Sequence, residues 1–208
     1  MHAEGQKRHT QDGSQLVQLM KSVGRGLKTV RAVDVGCGDG IMAHEMLSLG
    51  RATHVTALDL SPSAVTAARQ NLSPALANGR AEVWCIDAAK FFRSKTHWDK
   101  FDRFVINPPF FVERSGRPNK NLKDQWARHD GKLKLRVWAV GARHLLKTGG
   151  ELYCVFPTER LTELIVELSR NHIEPKELWW FKSDFRKRRV FLRAIRGAKP
   201  GLVIHFDY

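Results

Sequence analysis

Val33-Asp34-Val35-Gly36-Cys37-Gly38-Asp39-Gly40 decides the fold of this chain. The β-branched and small residues from Thr29 to Val35 read as a buried strand. The glycines that follow let the backbone turn sharply and approach a ligand at the start of a helix, Ile41 to Leu49. Gly36, Gly38 and Gly40 alternate and an acid precedes them, so this is not the dinucleotide fingerprint G-x-G-x-x-G. An acidic loop repels a pyrophosphate and suits a ligand that carries a cationic amine. A glycine-rich turn alone is weak evidence.

Outward from this loop, strands and helices alternate. Further strands are expected at His54–Leu60, Ala81–Ile86, Phe101–Ile106, Glu151–Phe156, Glu177–Phe181 and Val190–Ile195. Helices are expected after a Ser61 cap with Pro62 at the first position, from Lys132 to Leu146, and from Thr158 to Asn171, where Leu164, Ile165 and Leu168 face inward. A short helix is expected over Ser14–Val23, with Met1–Gly13 polar and mobile. Apolar strands separated by helices imply an α/β, Rossmann-like, seven-stranded and mostly parallel sheet with helices on both faces. At 208 residues the chain is expected to be one domain, 1–208, with an N-terminal extension over about 1–28.

Acids recur at the strand ends. Asp59 ends the second strand, where a carboxylate can accept both hydroxyls of a ribose. Asp87 follows the third, where an adenine amino group could be read. Each acid alone is as well explained by a helix cap or a solvated loop. Together with Asp34 they line the carboxyl edge of the sheet, where open α/β sheets bind ligands.

The fourth strand runs into Asn107-Pro108-Pro109-Phe110-Phe111. Proline donates no ladder hydrogen bond, so a buried strand stops at Asn107, leaving a stiff peptide with an amide, free carbonyls and an aromatic ring at its tip. Such a tip suits a planar group with N–H donors. The plainer reading is a strand-terminating turn.

Asp34 to Gly40, Asp59, Asp87 and Asn107 to Phe110, in this order, resemble the class I S-adenosylmethionine-dependent methyltransferases of the N-P-P-[FY] branch, which methylate planar amino or amide nitrogens. The resemblance implies S-adenosylmethionine as cofactor, with Asp34, Gly36 and Gly38 at its methionine end. It implies Asp59 at the ribose and Asp87 at the adenine, with Leu60, Ala88 and Asn107 also among the cofactor-binding residues. It implies Asn107, Pro108, Pro109 and Phe110 as the catalytic set. Lys7 to Asp12, Ala127 to Asp130, Phe156 to Leu161 and Ala198 to Leu202 are similar to the bacterial tRNA adenine-N(6) methyltransferases that act on the adenosine 3′ of the anticodon of a valine tRNA. The chain departs from that group's N-terminal pattern, where Arg8 and Asp12 match, and has Phe110 where that group has tyrosine.

The net charge is +14 and the pI about 10.1, which favours a polyanionic partner. Arg114, Arg117, Lys120 and Arg128 follow the N-P-P-F stretch, and Arg186, Lys187, Arg188 and Arg189 crowd the C-terminal strands; with Arg8 these are the candidate RNA contacts. Trp179 and Trp180 read as core, since they fall in a strand pattern. A loop adenosine is partly unstacked already, which fits a compact protein without a separate reading domain. Alternatives are a ribosomal RNA guanine-N(2) methyltransferase, a protein glutamine methyltransferase, or a non-catalytic RNA-binding protein on the same fold.

Cys37, Cys85 and Cys154 are an odd count without metal spacing and read as small buried thiols of a reducing compartment. The histidines show no ligand spacing, so no metal is expected. With no membrane-span run the expected location is the cytoplasm, and a monomer is the expected state.

Overall fold

A computed structural model of the chain describes residues 3–24, 29–108, 133–181 and 189–207, the side chains of 3–10 and 207 excepted. In order, the elements are α1 (Ala3–Leu19), β1 (Arg31–Val35), α2 (Ile41–Ser48), β2 (His54–Asp59), α3 (Pro62–Asn71), α4 (Ser73–Ala77) and β3 (Ala81–Cys85). They continue as α5 (Ala88–Arg93), β4 (Phe101–Ile106), α6 (Leu135–Leu145), β5 (Leu146–Pro157), α7 (Leu161–Arg170), β6 (Ile173–Phe181), β7 (Arg189–Arg196) and β8 (Val203–Asp207). The strands form one sheet in the order β3-β2-β1-β4-β5-β7-β6-β8. β3 through β5 are mutually parallel; β7 is antiparallel to both β5 and β6, and β8 is parallel to β6.

The order reverses between β1 and β4, since the chain winds from β1 toward β3 and then returns to β4 on the other side. A crevice opens at such a reversal, beyond the carboxyl ends of the strands. The register aligns those ends. Val35 pairs with both Leu58 and Ile106, so Gly36, Asp59 and Asn107 leave the sheet at one level. Asp59 pairs with Cys85, which brings Asp87 close behind.

Each face of the sheet is covered by its own core. On one side Val33, Val35, Phe104 and Ile106 pack with Phe92, Trp138, Leu145 and Leu164 from α5, α6 and α7. On the other, Ala32, Val105, Tyr153, Val155 and Phe191 pack with Leu16 and Val17 of α1, Met20 just beyond it, Met46 of α2 and Val65 of α3. Fully burying a side chain of this size contributes about 1.5–3 kcal/mol, so both layers hold the crevice rigidly.

Four expectations change. The sheet has eight strands rather than seven, because Val203-Ile204-His205-Phe206-Asp207 adds an edge strand beside β6. The helix expected at Ser14 begins at Ala3: Ala, Glu, Gln, Lys and Arg are good helix formers, and their polarity conceals it. The strand expected at Glu151 begins at Leu146, so β5 takes in Gly149 and Gly150. Cys37 and Cys154 are buried, whereas Cys85 is exposed, because β3 is an edge strand whose last two side chains face outward. Among the described residues no helix is long and apolar enough to cross a membrane.

Candidate active site

Gly36, Gly38 and Gly40 all have positive φ, at 71°, 56° and 79°. A Cβ added to Gly36 or Gly38 would meet nothing within 4 Å, so the loop borders open space. Gly40 differs. A Cβ there would lie 3.1 Å from Ala68 and 3.3 Å from Leu72, so this glycine lets α2 pack against α3. Asp39 stands in for a cap on α2 by accepting the Ile41 N–H at 3.3 Å.

Asp59 holds the loop in place. Its Oδ2 accepts the Gly38 N–H and its Oδ1 the Ser61 N–H, each at 2.8 Å. Each oxygen keeps a lone pair for a ligand. Leu60, the next residue, is an exposed large apolar side chain at the strand end. Asp87 spends one oxygen on the Ala89 N–H at 2.8 Å, capping α5, and Ala88 follows it half-buried.

Asp34 is the electrostatic centre. It is fully buried on β1, and among the described residues neither carboxylate oxygen is met by a donor at full hydrogen-bond geometry, the Ala43 N–H giving only a weak contact. Burial, then the nearby Asp59 and Asp39, push its pKa up to about 8; the Ala43 N–H opposes them and is outweighed. Three acids converging with one carboxyl unsatisfied fit a ligand that brings positive charge. The neighbouring Cys37 thiol is pushed well above its usual range, by burial first and then by Asp34 and Asp59, so it is no nucleophile.

Asn107 and Pro108 are half-buried immediately beyond β4. The nearest wall is α1. A Cβ on Gly13 would lie 2.7 Å from Met42 Cγ and 3.7 Å from Asn107 Nδ2, so the helix backbone approaches the site where it carries no side chain. Asp12 beside it is buried and forms an ion pair with Arg189 at the start of β7, while Ser14 donates to Glu45 on α2 at 2.7 Å. Pattern reading missed this wall. A glycine inside a helical stretch marks a close approach, and that was the available signal.

The structure thus brings together Asp34, Gly36, Gly38, Asp59, Leu60, Asp87, Ala88, Asn107 and Pro108. Pro109, Phe110, Arg114, Arg117, Lys120, Arg128, Arg186, Lys187 and Arg188 lie outside the described residues, as does the side chain of Arg8. Arg189, expected as an RNA contact, has its charge engaged inside the protein by Asp12. Among the described residues no cluster of His, Cys, Asp or Glu could hold a metal.

A family model described as a methyltransferase small domain matches residues 7–171. A curated protein of Bacteroides fragilis named tRNA1(Val) (adenine(37)-N6)-methyltransferase is 29% identical over 131 residues, 63% of this chain and 54% of its own length. One of the same name from Bacteroides thetaiotaomicron is 31% identical over 145 residues, 69% of this chain and 58% of its own. The chain therefore spans little more than half the length of these relatives. A solved structure of a predicted O-methyltransferase from Agrobacterium tumefaciens superposes with a TM-score of 0.67 at 19% identity, covering 93% of this chain and 85% of that one, which is a likeness of fold.

Proposed function

The chain belongs to the methyltransferase small domain family, and from that premise we propose that it methylates the exocyclic N(6) amine of an adenosine in RNA, with a tRNA anticodon loop as the substrate. One observation carries the reading: Gly36 and Asn107 leave paired strands side by side, next to a buried, unsatisfied Asp34. The names of the relatives, tRNA1(Val) (adenine(37)-N6)-methyltransferases, support an adenine of a tRNA as the target.

S-adenosylmethionine, when bound, supplies a methyl group on a positively charged sulfur. Gly36 and Gly38 give room for its methionine end, and Asp34 and Asp59 favour its cationic groups and ribose hydroxyls. Asp87 and Leu60 would flank its adenine. On the substrate side, the amine's lone pair is conjugated into the base and is a poor nucleophile. Hydrogen bonds donated by that amine to the Asn107 side-chain oxygen and the Pro108 carbonyl localise the lone pair and aim it at the methyl carbon. By the resemblance of the N-P-P-F stretch, Phe110 would stack on the base and hold it out of the RNA loop. The nitrogen sheds its proton after transfer, so no strong base is required.

The test is nucleoside analysis after incubation of the protein with labelled methyl donor and unmodified total tRNA. Label is expected in N(6)-methyladenosine. Label in a guanosine derivative, or in protein glutamine, would replace this reading with one of the alternatives.

A further inference from the structure

β8 forms the outer edge of the sheet, and among the described residues no strand pairs beyond it. Leu202, Val203, Ile204 and Phe206 are all exposed there, the last three about half so. Alternation sends Val203 and His205 to one face and Ile204 and Phe206 to the other. Each face carries an aromatic pair. His205 stacks on Trp179 with ring centroids 5.2 Å apart and planes at 12°, and Phe206 lies against Trp180 at 6.3 Å. The tryptophans are partly buried against the two cores, so they hold the outer rings in place rather than closing the site.

An exposed apolar edge of this kind marks a contact surface. Two occupants fit an unpaired strand: a second copy, or a flexible polymer with flat apolar groups. Charge decides between them. A second copy brings the same excess of +14. The edge itself is flanked by cations: Lys199 is exposed, Lys176 donates to the Lys199 carbonyl at 3.2 Å, and Lys21 is more than half exposed. The nearby Glu177 is engaged by Arg193 and Lys21, at 2.7 and 3.6 Å, and its other oxygen lies 3.9 Å from His205 Nε2, so the acid is turned to groups of this protein rather than outward. A single-stranded nucleic acid matches both features, since its bases stack on aromatic rings while its phosphates meet the lysines.

Position supports this occupant. Trp179 pairs with Phe191, which pairs with Val155, and Val155 follows the residue paired with Ile106. Trp179 is therefore level with Asn107, three strand spacings away, about 14 Å. A strand that inserts one base at Asn107 can lay its neighbouring nucleotides toward β8. We infer that the β8 edge, through His205 and Phe206 backed by Trp179 and Trp180, is a stacking surface for single-stranded RNA outside the target-base pocket. The inference rests on the reading of the substrate as RNA.

The test is fluorescence anisotropy with a short labelled single-stranded RNA and, in parallel, a duplex of the same sequence. The double variant His205→Ala/Phe206→Ala is expected to bind the single strand about tenfold more weakly. Its duplex affinity, cofactor affinity and slope of affinity against salt should match the wild type, because no phosphate contact is removed. If the double variant fails to fold, His205→Ala alone carries the test with a smaller loss. Unchanged single-strand affinity overturns the inference, as does a wild-type dimer in sedimentation that the double variant dissociates. Intact RNA binding and stacking without any methylated nucleoside would instead overturn the proposed function and leave this surface standing; no RNA binding by the wild type would overturn both.

Discussion

Asp12 and Arg189 form an ion pair that joins the N-terminal helix to the first residue of β7, with the carboxylate almost wholly buried. The pair holds Gly13, the next residue, against Met42 and near Asn107. Arg189→Met removes this cation from a buried carboxylate, and removing one partner of a buried pair costs about 3 kcal/mol. The expected drop in melting temperature is roughly 6–12 °C for a domain of this size. Asp12→Asn combined with Arg189→Met should recover much of the loss, measured by denaturant unfolding of all three variants. A single Arg189→Met variant as stable as wild type would show the pair to be inert.

Asp34 gives the unliganded protein a characteristic pH dependence. Burial, Asp59 and Asp39 raise its folded pKa to about 8, from an ordinary carboxyl value of 3.8. Between those values the folded state holds a proton that the unfolded chain has lost, so stability falls as pH rises, by up to about 1.4 kcal/mol per pH unit. Above the folded value the loss is complete. Urea unfolding from pH 5 to 8 should show this slope in wild type and not in Asp34→Asn. A cationic ligand favours the deprotonated form, so cofactor affinity should strengthen over the same window and be flat in the variant. Parallel stability curves would remove Asp34 from the centre of the site.

Asn107→Ala should lower methyl transfer roughly 100- to 1000-fold, the range for losing a single positioned hydrogen-bonding group in a water-excluded site. Cofactor affinity by calorimetry should stay near the wild-type value, because Asp34, Asp59 and the glycine loop are untouched. Near-normal turnover would refute the role given to this amide.

Gly13 tests the wall that α1 forms. Alanine gains about 1 kcal/mol of helix propensity, but its Cβ would sit 2.7 Å from Met42 Cγ, the flexible part of a long side chain. Gly13→Ala is therefore expected to be close to neutral in stability. Gly13→Val adds bulk that Met42 cannot clear, for a loss of about 1–3 kcal/mol by overpacking. Met42→Ala in the valine background should recover part of it. Equal melting temperatures for the alanine and valine variants would mean that the helix does not approach as closely as the structure has it.

The residues differ in how openly they announce their work. Asp34, the glycine loop, Asp59, Asp87 and Asn107 were legible because each sits at a boundary where hydrophobic alternation stops and a glycine, acid or proline begins. Such punctuation is local. Asp12 and Gly13 stand in a polar stretch, and nothing nearby distinguishes a buried acid from a solvated one until β7 supplies Arg189 from the other end of the chain. Arg189 misled for the same reason: in a run of cations it reads as a contact for phosphate, and only the packing of α1 shows its charge engaged. β8 was hidden by brevity, since five residues after a glycine make a weak strand until β6 offers its ladder.

The sequence by itself therefore determined the alternating α/β order, the edge of the sheet where ligand chemistry collects, and the residues that end each strand. Those follow from backbone geometry and from the period of apolar side chains, which are properties of neighbours along the chain. Only the tertiary structure decided which strand ends meet at one level, how far burial lifts the Asp34 carboxyl, and that a helix from the N-terminus walls the site. Those depend on strand register, on desolvation and on charges brought together from distant segments, which no local pattern encodes.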